Sequence, residues 1–328
     1  MLGCMYISAP TLDDLLHRVF GRLLKSGNRI RPSRGKAAES IAVLMQIKNP
    51  RARLSRSETK GRLSSCLGEL LWYLSGSKNL RFIAYYLPRY TDESEDGRTI
   101  YGGYGPRLFA MRGRHDQVRN VLTMLRKKRD SRRAVIQLLD ASDLAKKHKE
   151  IPCTCTLQFM IRRCRLHMFT NMRSNDAYLG LPHDVFAFTM LQEIFARTIG
   201  VELGAYSHAV GSLHLYDKHR KNARQYLEEG WQPTSLRMPP MPKGDPWRSI
   251  AKVVEAERNI RNGRKLLVRD LRLQPYWADL VRILQIYAHS RRRELTKIKQ
   301  VKSEMSNHIY DAYISNVITK LERNRHEQ

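Results

Sequence analysis

Long apolar runs are missing: no stretch of the sequence approaches the 18 or so consecutive apolar residues that a membrane-crossing helix needs. The opening residues, MLGCMYISAPTLDDLLHRVF, set acids inside an apolar pattern and have no basic start ahead of an apolar block. That argues against a secretory signal. Cysteine is sparse and odd in number, five in 328 residues, whereas secreted disulfide scaffolds are denser and usually even. The expectation is a cytoplasmic protein with free thiols. Acidic residues are scarce against basic ones: 31 Asp and Glu face 59 Lys and Arg, a formal net charge of +28. Such a field favours anionic partners, whether nucleic acid, a membrane surface, nucleotides or polyanionic cofactors, without choosing among them. Internal repeats and long low-complexity tracts are absent, while the apolar content of 42% is ordinary for a globular chain able to bury a sizeable core.

The pattern along the chain alternates between helical and strand periods. TLDDLLHRVFGRLLK (11–25) carries apolar residues at helical spacing behind Thr11 as N-cap, and Gly27 ends it. A basic loop, GNRIRPSRGKAAES, leads to a strand, SIAVLMQIKNP, that stops at Asn49-Pro50. Leu63, Leu67, Leu70, Leu71 and Leu74 form one face of a helix over roughly 60–75. YTDESEDGRTIYGGYG reads as a loop, GRHDQVRNVLTMLRKKRD as an amphipathic helix and SRRAVIQLLD as a basic turn entering a strand. CTCTLQFMIRRCRLHMFTNMRS reads as a hairpin turning near Arg163–Arg165. DVFAFTMLQEIFARTIG, apolar almost all round, predicts a buried helix capped by Gly200, and ELGAYSHAVGSLHLYDKH a further strand. After PTSLRMPPMPKGDP the chain turns helical and charged from Asp245-Pro246 to Gln328, with Arg291, Arg292, Arg293, Lys297, Lys299 and Lys302. The expected architecture is α+β to residue 242, followed by a basic helical extension over 243–328.

IPCTCTLQF (151–159) holds the chemistry worth arguing. On a strand, Cys153 and Cys155 share a face. No second cysteine pair or histidine cluster with zinc-like spacing completes a metal site, so no metal is expected. A disulfide between strand residues two apart has poor geometry. Two buried small apolar residues, or a nucleophile activated by nearby arginine, are the readings left.

The surroundings of Cys153 narrow the choice. ELLWYLSG (69–76), YGPRLF (104–109), SRR (131–133), PC (152–153), QF (158–159), RSND (173–176), LGLP (179–182) and GSLHLY (211–216) follow one another in an order that resembles the thymidylate synthase family, which includes the pyrimidine-nucleotide hydroxymethylases. The resemblance covers roughly residues 12–242. It implies that family's fold, a mixed β-sheet at a dimer interface with surrounding helices, and an obligate homodimer with shared active sites.

The resemblance also implies roles by position. Cys153 matches the nucleophile that adds to C6 of the pyrimidine. Arg34, Arg173 and Ser174 match the phosphate-binding residues, joined by Arg132 and Arg133 of the second subunit. His214 and Tyr216 match the residues that bond the sugar. Glu69 matches the residue that organises water and protons around the base, and Tyr104 the one that assists proton removal at C5. Gln158 matches a support of the nucleotide site, and Asp176 the acid facing the folate, 5,10-methylenetetrahydrofolate. Guanidinium groups suit a phosphate dianion through charge-assisted, bidentate hydrogen bonds, and the same field is expected to lower the thiol pKa.

Two departures from the synthases bear on base and product. The synthases follow GLP with Phe-Asn, and the Asn reads uracil; here GLPHD puts His183 and Asp184 there. An amide donates and accepts, matching uracil, whereas an ionised carboxylate only accepts and suits the 4-amino group of cytosine. Asp184 thus points to CMP or dCMP; the plainer reading is that it caps the following helix, and the two roles are compatible. The segment from Leu80 to Tyr104 also lacks the Trp that shields the one-carbon unit from water in the synthases. That implies a 5-hydroxymethyl product and release of tetrahydrofolate. The alternatives are a thymidylate synthase acting on dUMP, or a nucleic-acid-binding protein on an inactive version of the fold, using the basic C-terminal region. That region, in place of the synthases' short apolar tail, is open to three fates: packing on the core, extending the dimer, or binding a polyanion.

Overall fold

The computed structural model describes residues 5–32, 34–55 and 63–326. β1 (Met5–Ala9) leads to α1 (Leu12–Ser26), whose N-cap Thr11 accepts from Asp14 N at 3.1 Å as the sequence predicts. Leu12, Leu15, Leu16, Val19, Phe20 and Leu23 are its buried stripe. β2 (Asn28–Ile30) and β3 (Ala37–Ile47) follow. The expected leucine helix is α2 (Leu63–Leu74), and residues 60–62 of that expectation lie outside the described residues. A short helix, α3 (Leu80–Tyr86), follows; the segment expected to be loop, 90–105, contains α4 (Tyr90–Glu93) and the start of α5 (Tyr104–Phe109), and the amphipathic helix is α6 (Gln117–Lys127).

The strand β4 (Val135–Gln137) precedes the hairpin of β5 (Thr154–Arg162) and β6 (Arg165–Asp176). Its turn residues Arg163 and Cys164 both adopt left-handed φ, 49° and 55°, the conformation a two-residue hairpin demands. α7 (Gly180–Ile199) is buried nearly all round and ends at Gly200, whose φ of 78° favours glycine. β7 (Glu202–Tyr216) is the longest strand. The sheet order is β1-β3-β7-β6-β5-β4, with β2 on β3; β1 with β3 and β6 with β7 are parallel, and the rest antiparallel. The fold is thus α+β, a mixed sheet with surrounding helices. The face of the sheet away from the main core exposes Tyr6 (59%), Ile41 (41%) and Val135 (40%).

After α8 (Arg220–Glu228) come α9 (Trp247–Arg261), α10 (Pro275–Arg291), α11 (Leu295–Ser303) and α12 (Asp311–His326). α9 starts at Asp245-Pro246 as expected, with Pro246 at the N-cap position and Asp245, one residue earlier, accepting from Trp247 N at 3.1 Å. Of the three fates open to this region, packing on the core is the one observed. α9 and α10 lie against α2, and Trp277, Leu280 and Leu284 join the same buried cluster as Leu67 and Leu71. Tyr86 Oη donates to Glu257 at 2.9 Å, and Tyr287 Oη to the Tyr85 carbonyl at 2.8 Å. No described helix is long and apolar enough to cross a membrane.

A buried ion pair, Arg53 with Glu193, ties the segment after β3 to α7, and Glu193 also accepts from Met241 N at 2.9 Å. Both side chains are fully buried. Removing one partner strands a charge in a low dielectric. Glu193→Gln is therefore expected to cost about 3–4 kcal/mol in a urea unfolding series, and an apolar replacement of both residues considerably less. Equal losses would mean that packing rather than charge pairing dominates there.

Candidate active site

Register brings the site together. Ser174, Asn175 and Asp176 at the end of β6 stand beside Ser212, Leu213 and His214 of β7, and His214 stands beside Glu39 of β3. The next residues lead directly into α7, which carries His183 and Asp184. α2 contributes Glu69, Trp72 and Tyr73, and the short helices contribute Arg89, Tyr90, Glu93 and Tyr104. The result is a cleft of about 360 Å³. Of the residues singled out from the sequence, Arg34, Glu69, Tyr104, Cys153, Arg173, Ser174, Asp176, Asp184, His214 and Tyr216 line it.

Arg132, Arg133 and Gln158 do not line the cleft of their own chain. Gln158 pairs across the ladder with exposed Val135 on the uncovered face of the sheet, and its Nε2 donates to the Arg132 carbonyl at 3.0 Å. Both arginines are exposed beside it. Cys155 is also outside the cleft. The expected shared face with Cys153 assumed regular strand alternation, but Cys153 precedes β5 and the ladder is irregular between Thr154 and Thr156, where such a bulge breaks the alternation of strand side chains.

Arg173 fastens the segment that carries the thiol. Its Nε donates to the Pro152 carbonyl at 3.0 Å and its Nη2 to the Ile151 carbonyl at 3.1 Å, and Nη2 lies 3.7 Å from Cys153 Sγ. The thiol pKa is nonetheless pushed up to about 11, chiefly by burial; Arg173 opposes this, while Glu150 and Asp184 add to it. The expected lowering of the thiol pKa is thus overturned. Arg173 and Arg34 do reach the sulfur, but burial outweighs them, and Glu150 and Asp184 add to its effect.

Glu150 is a group that sequence reasoning missed. It lines the cleft, and its Oε2 is buried with no hydrogen-bond partner among the described residues. Gly102 makes room for it: a Cβ there would fall on its carboxylate. Burial, then Glu93, raise its pKa to about 7. The signal available was an acid three residues before the cysteine. Glu93 was also missed, and it forms an ion pair with Arg34 at 3.0 Å.

Glu69 is buried and accepts from Tyr73 Oη at 3.0 Å and Tyr90 Oη at 2.8 Å; burial raises its pKa, against Arg89. Tyr104 Oη donates to Thr154 Oγ1 at 2.9 Å and accepts from Thr154 N at 3.1 Å, which fixes it beside the start of β5. His214 and Tyr216 stand edge to face, 4.9 Å apart. Asp176 accepts from Tyr178 N and Leu179 N at 2.8 and 3.1 Å. His183 is held between Ser65 and the Leu179 carbonyl, both at 2.9 Å.

Asp184 does not cap α7. Leu179 occupies the N-cap position and gives no side-chain cap, and the Asp184 carboxylate instead accepts from Asn175 Nδ2 at 2.7 Å. Burial, then Glu69, push its pKa up to about 8, with Asn175 opposing. The folded value lies above the ordinary value of 3.8. This group's contribution to stability is therefore fully present below about pH 4 and lost as pH rises through 8. Asp184→Asn is expected to flatten the decline in unfolding free energy between about pH 6.5 and 8.5. Parallel curves for the two proteins would count against the raised pKa.

Two unpartnered donors also belong to the cleft: Trp72 Nε1 and Arg89 Nε are buried without acceptors among the described residues. With Tyr90 and Asp176 they suit a ligand that combines a flat ring with carbonyl or carboxylate acceptors, as a folate does. The C-terminal helices contribute no described residue to this cleft.

Two comparisons bear on the arrangement. The family model described as thymidylate synthase matches residues 27–246. A protein of Delftia phage PhiW-14 described as a deoxyuridylate hydroxymethyltransferase is 31% identical over 188 residues, 53% of this chain and 52% of that one. The chain spans about half the length of this relative.

Proposed function

We propose, from the premise that the chain belongs to the thymidylate synthase family, that it adds a one-carbon unit to C5 of a cytidine 5′-monophosphate, CMP or dCMP, and yields the 5-hydroxymethyl nucleotide. The observation that carries this reading is the Asp184 carboxyl, inside the same cleft as Cys153. Bound 5,10-methylenetetrahydrofolate would supply the one-carbon unit at the oxidation level of formaldehyde. Trp72, Arg89, Tyr90 and Asp176 are the residues suited to hold it.

In this reading Cys153 Sγ forms a bond to C6 and the ring electrons move towards C5, making that carbon the nucleophile. The thiol is neutral at pH 7, so its proton must leave as the bond forms. Glu150, with a pKa of about 7, is the acceptor matched to that task. Glu69 and Tyr104 manage protons around the base. Arg34, Arg173 and Ser174 bind the phosphate, and His214 and Tyr216 the sugar. The segment from Leu80 to Tyr104 lines the cleft with Arg89, Tyr90 and Glu93 and carries no Trp to shield the one-carbon unit, which supports the hydroxymethyl product. The named activity of the phage relative supports the same outcome.

A homodimer is part of the proposal. The uncovered sheet face carries Tyr6, Ile41 and Val135, and Arg132 and Arg133 lie by Gln158 at that face, available to a second copy's cleft. Residues 1–242 form the catalytic unit, with 243–328 docked on it. Uridylate is the second reading. A carboxyl with a pKa of about 8 is largely neutral at pH 7, and in that form it donates and accepts as an amide does.

The test is to incubate the protein with methylenetetrahydrofolate and CMP, dCMP or dUMP separately, and to weigh the products. A gain of CH2O on a cytidylate is expected. A gain of CH2 on dUMP with formation of dihydrofolate would reject the proposal in favour of a synthase. A gain of CH2O on dUMP alone would select the second reading.

A further inference from the structure

The end of β6 places a third polar side chain beside Asp184. Asn175 is 3% exposed and lines the cleft. Its Nδ2 donates to Asp184 Oδ2 at 2.7 Å. The opposite atom, Oδ1, is buried with no hydrogen-bond partner among the described residues. Donor and acceptor logic fixes this orientation against an ionised carboxylate, because the turned amide would set oxygen against oxygen. Gly180 permits the pair to close: a Cβ there would lie 2.9 Å from Asn175 Nδ2 and 3.5 Å from Asp184 Oδ2.

A buried acceptor without a donor is rare in a folded protein, and at a binding site it is satisfied by what binds. Resting on the reading of Asp184 above, we propose that Asn175 is a specificity-determining residue that, with Asp184, selects a base bearing an exocyclic amino group. The 4-amino group of cytosine has two N–H bonds. Asp184 can accept one and Asn175 Oδ1 the other. A uracil O4 has none, and against the ionised carboxylate would set a third acceptor against two. Asn175 also acts on Asp184 directly, since its N–H favours the ionised, accept-only form of the carboxyl.

The test measures binding alone, by calorimetry without folate, so that it stands apart from turnover. Wild-type protein is expected to bind dCMP at least about tenfold more tightly than dUMP. It should prefer dCMP by a similar factor over the nucleotide of 2-pyrimidinone, which carries hydrogen in place of the amino group. The isosteric Asn175→Leu is expected to reduce the dCMP-to-dUMP affinity ratio about tenfold, with Asn175→Ser as a second variant should the first fold poorly. An unchanged ratio in the variant overturns the proposal, whether or not both affinities fall together. Equal wild-type affinity for dCMP and the 2-pyrimidinone nucleotide overturns it without any variant. An active wild type with an unchanged variant ratio would sink the role of Asn175 alone. A wild type that turns over nothing but retains the ratio and loses it on substitution would leave Asn175 standing while the catalytic reading fails.

Discussion

Cys153→Ala is expected to abolish turnover, by on the order of 10^5-fold or more, while leaving the fold and nucleotide binding nearly intact. The size follows from the role. No other group in the cleft matches the position of a nucleophile at C6, and the ring C5 gains no carbon-nucleophile character until C6 is attacked. The small structural effect follows from the site: Cys153 lines the cleft, outside the fully buried core, and Arg173 keeps its bonds to the Ile151 and Pro152 carbonyls. Cys153→Ser should fare almost as badly, because a hydroxyl is a far poorer nucleophile. A product assay and a thermal melt on the same preparation separate the two effects. Retained turnover in Cys153→Ala would end the enzymatic assignment. The pKa of about 11 adds a chemical signature. Alkylation by iodoacetamide should be slower at pH 7 than for a free thiol and should accelerate as pH climbs towards 11. A rate that is flat between pH 7 and 9 would indicate a thiolate already formed, and with it no need for Glu150 as proton acceptor.

The residues legible in the sequence share a property: each belongs to a local period or to a short string with a fixed order. Thr11 announced α1 because N-capping is a local matter of one side chain and the next turn. α7 was legible because its burial all round is written as near-unbroken hydrophobicity. Cys153, Arg173, Ser174, His214 and Tyr216 could be named from motifs, and the parallel register of β6 with β7 brings those motifs to one place. What escaped depends on contacts between distant segments. Glu150 and Asn175 are chemically telling only because one is enclosed near the thiol and the other faces Asp184, and neither fact has a sequence period. The raised thiol pKa escaped for the same reason, since total charge predicts the far field and not the desolvation of one sulfur. Gln158 and its neighbours Arg132 and Arg133 were named from motif position, but a single chain sends them to the uncovered sheet face. The docking of α9 and α10 could be named only as one of three fates, because the surface charge of the extension hides the apolar side that Trp277, Leu280 and Leu284 turn inward.

Asp184→Asn is expected to swing the ratio of cytidylate to uridylate turnover by about 10^4-fold, most of it through loss on the cytosine side. In the wild type the carboxyl is held by Asn175 and can present an acceptor to an amino group. In the variant, the new amide must offer its oxygen to Asn175 Nδ2 to keep that bond, and its NH2 is then turned towards the base. An NH2 facing the 4-amino group of cytosine sets donor against donor in a buried site. The same NH2 facing O4 of uracil completes a hydrogen bond. The wild-type carboxyl has a way round this preference that the variant lacks. Since its pKa is about 8, the protonated acid can donate to O4, so residual uridylate turnover in the wild type should grow as pH falls below 8. The uridylate activity of the variant should carry no such dependence on this group. Measuring kcat/KM for dCMP and dUMP from pH 6.5 to 8.5 in both proteins reads both effects in one series. If both substrates lose equally, Asp184 has a structural part only. If the ratio holds, base choice lies elsewhere in the cleft and the cytidylate assignment loses its support.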